Sequence, residues 1–288
     1  MQIAILGHSG FLGTLCSDFF KVNGYTVIIV DRNDIGNPEL LYPKLVSSDI
    51  IINFVGSNIS KRWTTKYKQI IYESRILTTR AVVSCLYSIP NKKIHLIQAS
   101  AIGIYDDENF HDETSKLFGD SFLSKVVIDW ENELNLISNS NIKVSIIRLG
   151  IVIDSEGGYL KKLLFVNKFR ILPYFGKRIN NLCFIDSFDF LNGLKFVIEG
   201  KSDGIFNFCT SNSTSNYQIA NYLSIFNKTS LLFYVPDFIL KVIFGDGYFI
   251  LKGTPVAIPN RLVELGFQFK YDTIDKSLMS KIARIESN

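Results

Sequence analysis

The stretch ILGHSGFLG, residues 5–13, constrains this chain more than any other. Glycine stands at 7, 10 and 13, directly after the apolar run Met1–Leu6 and directly before the run 11–22. In that second run Phe11, Leu12, Leu15, Phe19 and Val22 recur at helical spacing, so a buried strand turns tightly into an amphipathic helix. Such a turn leaves backbone N–H groups free at the positive end of the helix, which suits a pyrophosphate. One glycine makes the turn, one lets a phosphate approach the backbone, and Gly13 lets helix and strand pack closely. Gly7, Gly10, Phe11, Leu12 and Gly13 are therefore candidate dinucleotide contacts. An ordinary strand-to-helix turn would also use glycine; the placement inside strand, turn and helix favours a nucleotide.

The first half of the chain then alternates apolar runs with helical patterns. Runs 2–6, 26–30, 50–54, 94–98 and 144–149 read as strands rich in Ile and Val, with helices over 64–87 and 121–137. Strands apolar on both faces, alternating with helices, imply an α/β fold with a doubly wound parallel sheet, whose ligand lies beyond the carboxyl ends of the strands. After about residue 155 the alternation loosens. Helices are expected over 157–167, 187–199, 215–226, 237–244 and 274–284, with a strand at 205–208. With 288 residues, the chain divides into a dinucleotide-binding core, 1–155, and a remainder, 156–288, that completes the sheet edge and forms a smaller C-terminal α/β lobe.

Composition narrows the partners. Hydrophobic residues make up 47%, enough for a full core, and a formal charge of +4 without a basic block does not argue for nucleic acid. The cysteines (Cys16, Cys85, Cys183, Cys209) form no CxxC pair and suit a reducing compartment. Three histidines argue against a His-based metal site. No secretory signal is evident, and the apolar stretch 233–251 is interrupted by Pro236, Asp237, Lys241, Gly245, Asp246 and Gly247. A cytoplasmic protein without a membrane span is the expectation.

Chemistry-bearing residues fall at the strand ends. Asp31 closes the second strand, where an acid can accept hydrogen bonds from the adenine ribose; the competing reading is a helix-cap or turn aspartate. Asp31 favours NAD by repelling a 2′-phosphate, whereas Arg32 can pair with one, so NADP stays open. Asn53, Val55 and Gly56 in NFVG would line the far ribose, with Gly56 permitting close approach. Arg75 shares a stripe of the long helix with Lys68, Ile71, Thr78 and Val82, and either snorkels or reaches over the strand ends toward the cofactor. Ala99 and Ser100 leave the fourth strand, where the Ser100 hydroxyl could bond a substrate carbonyl or alcohol. RLG, Arg148–Gly150, holds the same place on the next strand, with Gly150 a candidate cofactor contact.

Taken together, GHSGFLG, INFVGSNISKRWTTKYKQIIYESRILTTRAV, ASAIGIY, DWENEL, RLGIVIDSEGGYLKKLL, FIDSFDFL, VPDFILKVIFGD and IPNRLVELGFQF resemble the extended short-chain dehydrogenase/reductase superfamily. Within it, the YfcH-like epimerase family is the nearest likeness. The resemblance implies a Rossmann core, a small C-terminal domain and an NADP-type cofactor, without a known substrate. Three departures stand out. The Tyr-x-x-x-Lys pair, in which lysine lowers the tyrosine pKa for proton exchange, is replaced by Leu123 and Val127. Tyr248 and Lys252 repeat the spacing in the C-terminal region by coincidence. Asp31 stands where relatives carry a small hydroxyl residue, and Ser57 where they often carry glutamate.

The expected function is an NAD(P)-dependent oxidoreductase or epimerase acting on a small carbonyl or alcohol. Ser100 would orient the substrate, and Tyr105, or a water near it, would replace the missing acid beside an apolar wall. The alternative is a non-catalytic NAD(P)-binding sensor, which the missing Tyr and Lys favour.

Overall fold

A computed structural model describes residues 1–89, 92–176, 181–226 and 231–286. From the start run β1 (Gln2–Leu6), α1 (Phe11–Val22), β2 (Thr26–Val30), α2 (Arg32–Ile35), α3 (Pro38–Ser47), β3 (Ile50–Asn53), α4 (Thr65–Tyr87) and β4 (Ile94–Ala101). Next come β5 (Phe110–His111), α5 (Phe122–Asn132), β6 (Ile142–Leu149), β7 (Ile151–Ile153), α6 (Gly158–Asn167), β8 (Ile171–Tyr174) and β9 (Phe184–Asp186). Then follow α7 (Ser187–Glu199), β10 (Gly204–Phe208), α8 (Asn216–Phe226), β11 (Leu231–Tyr234), α9 (Asp237–Phe244), β12 (Val256–Ala257), α10 (Asn260–Glu264) and α11 (Ile274–Glu286).

The side chains of β1 alternate between two cores, and the sheet grows from it. Ile3 and Ile5 pack with Cys16 and Phe20 of α1 and with Phe190, Leu194 and Val197 of α7. Ala4 and Leu6 pack on the other face with Leu41 and Leu45 of α3 and Val82, Val83 and Leu86 of α4. The sheet has six strands in the order β10-β6-β4-β3-β1-β2, all parallel. From β1 the chain moves outward to β2 and then returns to β3 on the opposite side. That reversal opens a crevice beyond the carboxyl ends of β1 and β3. The doubly wound α/β fold expected from the sequence is what forms.

Three local differences have physical causes. β4 continues past the apolar run 94–98, and its ladder with β6 carries Ser100 and Ala101 opposite Arg148 and Leu149. The helix expected over 121–137 ends at Asn132 and tightens into a 3₁₀ turn over 133–136. α3 was not among the helices expected from the sequence, and Pro38 and Pro43 lie within it. Pro38 takes the first turn behind an Asn37 cap, and Leu41 and Leu45 bury against the sheet.

Beyond β6 a third core gathers Ile153, Leu160, Leu163, Leu172, Phe184, Leu223 and Leu278 from α6, α8, α11 and the short strands. β10 adds the sheet edge, while β8–β11, β7–β9 and β5–β12 form separate two-stranded pairs. Lys281 of α11 pairs with Asp186 at 2.9 Å and donates to Ser187 at 2.8 Å, fastening that helix to the start of α7. Among the described residues, no helix is long and apolar enough to cross a membrane.

Candidate functional site

The glycine turn sits at the crevice. Gly7 has a φ of +80°, and a Cβ there would lie 2.9 Å from the Phe54 carbonyl carbon. Only glycine meets both demands. At Gly13 a Cβ would lie 2.2 Å from the Gly7 oxygen, so α1 rests directly on the turn. Gly10 donates to Gly7 O at 3.0 Å and caps α1 without a side-chain bond. The first helical ring closes only at Thr14, whose N–H reaches Gly10 O at 2.9 Å. The N–H groups of Phe11, Leu12 and Gly13 thus open the helix with no cap, and no acid stands in its first turn. An uncapped helix start behind a turn stripped of Cβ atoms fits a diphosphate. The Phe11 ring packs over Gly157, where a Cβ would come within 1.9 Å of it.

Asp31 takes the N-cap of α2: its Oδ1 accepts from Asn33 N at 2.8 Å and Asp34 N at 3.1 Å. Asp34 returns the bond to Asp31 N at 2.7 Å, completing a capping box, and pairs with Lys44 at 2.6 Å. The cap reading is therefore realised, while the Asp31 and Arg32 side chains remain exposed at the end of β2.

Asn53 is fully buried. It donates to Gln98 Oε1 at 3.0 Å and accepts from Val55 N at 3.1 Å, which fixes the path of Val55 and Gly56. The Arg75 guanidinium lies on Gly56, where a Cβ would meet it at 3.0 Å, and over the Trp130 ring at 5.3 Å. Ala99 is buried against Ile76 and Trp130. Gly150 donates to Phe208 O at 3.0 Å, and a Cβ there would strike the Cys183 carbonyl at 2.8 Å.

Ser100 and Tyr105 are joined by residues from α5, β6 and β10. The Ser100 hydroxyl donates to Glu131 Oε1 at 2.5 Å. Arg148 grips the same carboxylate twice, Nε to Oε1 at 2.9 Å and Nη2 to Oε2 at 2.7 Å. Its Nη1 donates to the Tyr105 hydroxyl at 2.8 Å, and that hydroxyl faces Asn207 Oδ1 at 2.9 Å and Asp112 O at 3.1 Å. The Tyr105 ring stacks on His111 with centroids 4.6 Å apart. Arg148 is only 2% exposed. Burial works against its charge, but the ion pair with Glu131 prevails and holds its pKa above the ordinary arginine value. Burial also pushes the Tyr105 pKa up, against the opposing pull of Arg148.

With this geometry in place, comparison with known proteins adds the lineage. Residues 3–131 match the NAD dependent epimerase/dehydratase family, and residues 235–280 match a domain of unknown function, DUF1731. Over that first stretch the chain is similar to the epimerase/dehydratase family. It is 27% identical to an epimerase family protein of Staphylococcus aureus (strain MRSA252), over 98% of this chain and 99% of the relative. Its fold is similar to that of a human epimerase family protein solved with NADPH, at 19% identity and a TM-score of 0.85, covering 98% of this chain and 99% of the other. MoeE5, solved with UDP-glucuronic acid and NAD, is 14% identical with a TM-score of 0.82, covering 100% of this chain and 99% of its own.

In this chain the places expected for Tyr and Lys fall on α5, where Val127 is buried beside Ile102, Ile104 and Tyr105 and Leu123 is half-buried. Tyr248 and Lys252 lie elsewhere: Tyr248 packs with Val235 and Leu240 of the C-terminal lobe, and Lys252 pairs with Asp237 at 2.5 Å. Sequence reasoning missed Glu131, the hinge of the polar network, and Asn207, and gave Arg148 only its strand-end position within RLG. One signal was present. An arginine ending the apolar strand IKVSIIRL must bury its charge and so requires a carboxylate.

Proposed function

We propose that this protein is an NAD(P)-dependent oxidoreductase or epimerase that acts on a small alcohol or carbonyl through Ser100 and Glu131. The 2.5 Å hydrogen bond between them carries this reading. It joins a hydroxyl at the carboxyl end of β4 to a carboxylate of α5, the helix on which Leu123 and Val127 stand in the places expected for tyrosine and lysine. When a substrate alcohol is oxidised, its proton passes to Ser100 Oγ as the Ser100 proton passes to Glu131. Carbonyl reduction runs the same transfer backwards, starting from protonated Glu131. Arg148 orients the carboxylate with two hydrogen bonds. A bound nicotinamide supplies or takes the hydride.

Gly7, Gly10, Phe11, Leu12 and Gly13 would hold the diphosphate, Asp31 and Arg32 the adenosine end, and Asn53, Val55, Gly56, Ala99 and Gly150 the backbone floor beyond it. Residues 1–155 would form the dinucleotide-binding core and 156–288 the edge strand and substrate lobe. Relatives solved with NADPH and with NAD support a nicotinamide dinucleotide as the cofactor. Asp31 tilts the preference toward NAD, and Arg32 keeps NADP open. Tyr105, at 1% exposure and with its pKa raised by burial, is suited to holding Arg148 rather than to delivering a proton. We therefore assign it a positioning role.

The test is single-turnover oxidation of bound NADH or NADPH by a panel of small aldehydes, ketones and keto acids. Ser100→Ala and Glu131→Gln should each slow turnover by about 10²–10⁴-fold, the usual loss when a positioned proton-transfer group is removed. Tyr105→Phe should cost far less. Undiminished turnover in Ser100→Ala, with dinucleotide bound as in the parent, refutes the dyad. A second reading, a non-catalytic NAD(P) sensor, is favoured by Leu123 and Val127. It prevails if dinucleotide binds and no carbonyl is reduced.

A further inference from the structure

Arg75 presents a charge that no carboxylate among the described residues neutralises. Its guanidinium is half-buried between Gly56 and the Trp130 ring. Its hydrogen bonds go to uncharged carbonyls, Ile71 O at 3.1 Å and Ser57 O at 3.4 Å. The arginine ion pairs among the described residues are Arg80–Glu133 and Arg148–Glu131, so Arg75 has no acidic partner there. Neighbouring Lys68 does, in Asp246. Burial pulls the Arg75 pKa down to about 10, and no carboxylate offsets it. Removing a cation from water without a counter-ion is unfavourable, and carbonyl dipoles answer only part of that cost. A counter-ion delivered by a ligand completes such a site.

Its position indicates which ligand. Across the sheet the order is β1, β3, β4. The diphosphate donors stand at β1, whereas Arg75 touches Gly56 beyond β3 and Trp130 on α5. Trp130 is followed by Glu131, which holds Ser100 of β4. The guanidinium thus lies on the side of the crevice where the reacting group would sit. Held over the indole, it offers a planar fork matched to two oxygens of one anion.

We propose that Arg75 is the receptor for a carboxylate or phosphate group carried by the substrate, so that the substrate class is anionic. This rests on the reading of Ser100 and Glu131 given above and adds the charge of the molecule that meets them.

The experiment titrates malonate and inorganic phosphate, by calorimetry, into protein saturated with its preferred reduced dinucleotide. Two variants accompany the parent. Arg75→Gln removes the charge, and Ser57→Glu supplies an internal carboxylate next to the guanidinium. The parent should bind at least one of the anions, and both variants should weaken that binding by about tenfold or more, the usual loss for a charge-assisted contact. Both should retain dinucleotide affinity within about threefold. Ser57→Glu should also raise the midpoint of thermal unfolding, because it answers the buried charge. The proposal is overturned if the parent binds neither anion, or if Arg75→Gln binds them as the parent does. It is also overturned if Arg75→Gln loses dinucleotide affinity tenfold, which would make Arg75 a cofactor contact and leave the Ser100–Glu131 reading intact. If the parent binds no dinucleotide, the proposed function fails, and the same titration of the free protein still reports on Arg75.

Discussion

Replacing Glu131 by alanine should destabilise the protein far more than an ordinary partly exposed glutamate would. The carboxylate accepts three hydrogen bonds, at 2.5, 2.7 and 2.9 Å, from Ser100 and Arg148. The pair is shielded from water, with side-chain exposures of 2% for Arg148 and 12% for Glu131. Alanine would leave the guanidinium buried with only Tyr105 O–H to receive it. Breaking a buried ion pair by removing one partner costs about 3–5 kcal/mol. With a urea m-value of about 3 kcal/mol/M, the unfolding midpoint should fall by about 1–1.7 M. Replacing both partners, as Glu131→Leu with Arg148→Met, removes the stranded charge and should recover much of the loss, since apolar replacement of a buried pair is often nearly neutral. The assay is urea denaturation followed by far-UV circular dichroism on the parent, both single variants and the double variant. A midpoint shift below about 0.2 M for Glu131→Ala refutes the reasoning. So does a double variant whose loss equals the sum of the single losses.

Two further outcomes are expected. Asp31→Ser keeps a side-chain oxygen for the α2 cap but removes the charge at the end of β2, so NADP affinity should rise relative to NAD; an unchanged ratio in competitive titration contradicts the assignment. Stability should also fall with acid below the ordinary histidine range. Burial, helped by Lys143, lowers the His95 pKa from 6.5 to about 4, so between those values the unfolded chain binds the proton that the native chain refuses. The contribution is full above pH 6.5, is lost as pH falls through 4, and amounts to about 3 kcal/mol. His95→Gln should flatten that slope in urea titrations run from pH 7 to 4, and an unaltered slope rules the cause out.

Local patterning made the N-terminal half of the fold legible. β1, the glycine turn and α1 lie within one short stretch, and each obeys a rule of spacing or of missing Cβ atoms. Ser100 was legible because strand ends are where α/β sheets do chemistry. Glu131 was not, since nothing near it in sequence says that α5 brings its carboxylate to Ser100 and Arg148. That depends on packing across β4 and β6. Tyr105 looked available because the sequence cannot tell that His111 stacks on it and Asn207 meets its hydroxyl. Asp31 has one carboxyl that can serve both the α2 cap and a ribose, so the competing readings of it are compatible rather than exclusive. α3 was not read from the sequence; its fold depends on Pro38 in the first turn behind the Asn37 cap and on Leu41 and Leu45 reaching the sheet.

The most direct test of the central claim, that the glycine turn holds a nicotinamide dinucleotide, is calorimetric titration of NADH and NADPH into the parent and into Gly10→Val. A Cβ at Gly10 would meet only the Gly7 oxygen, at 3.3 Å, so the variant should fold cooperatively. Its branched side chain would occupy the space before the N–H groups of α1. The parent should bind one dinucleotide per chain saturably, and the folded variant should lose that binding by two orders of magnitude or more, about 3 kcal/mol. Equal affinity in the parent and a folded Gly10→Val, or no saturable binding of either dinucleotide by the parent, would contradict the claim.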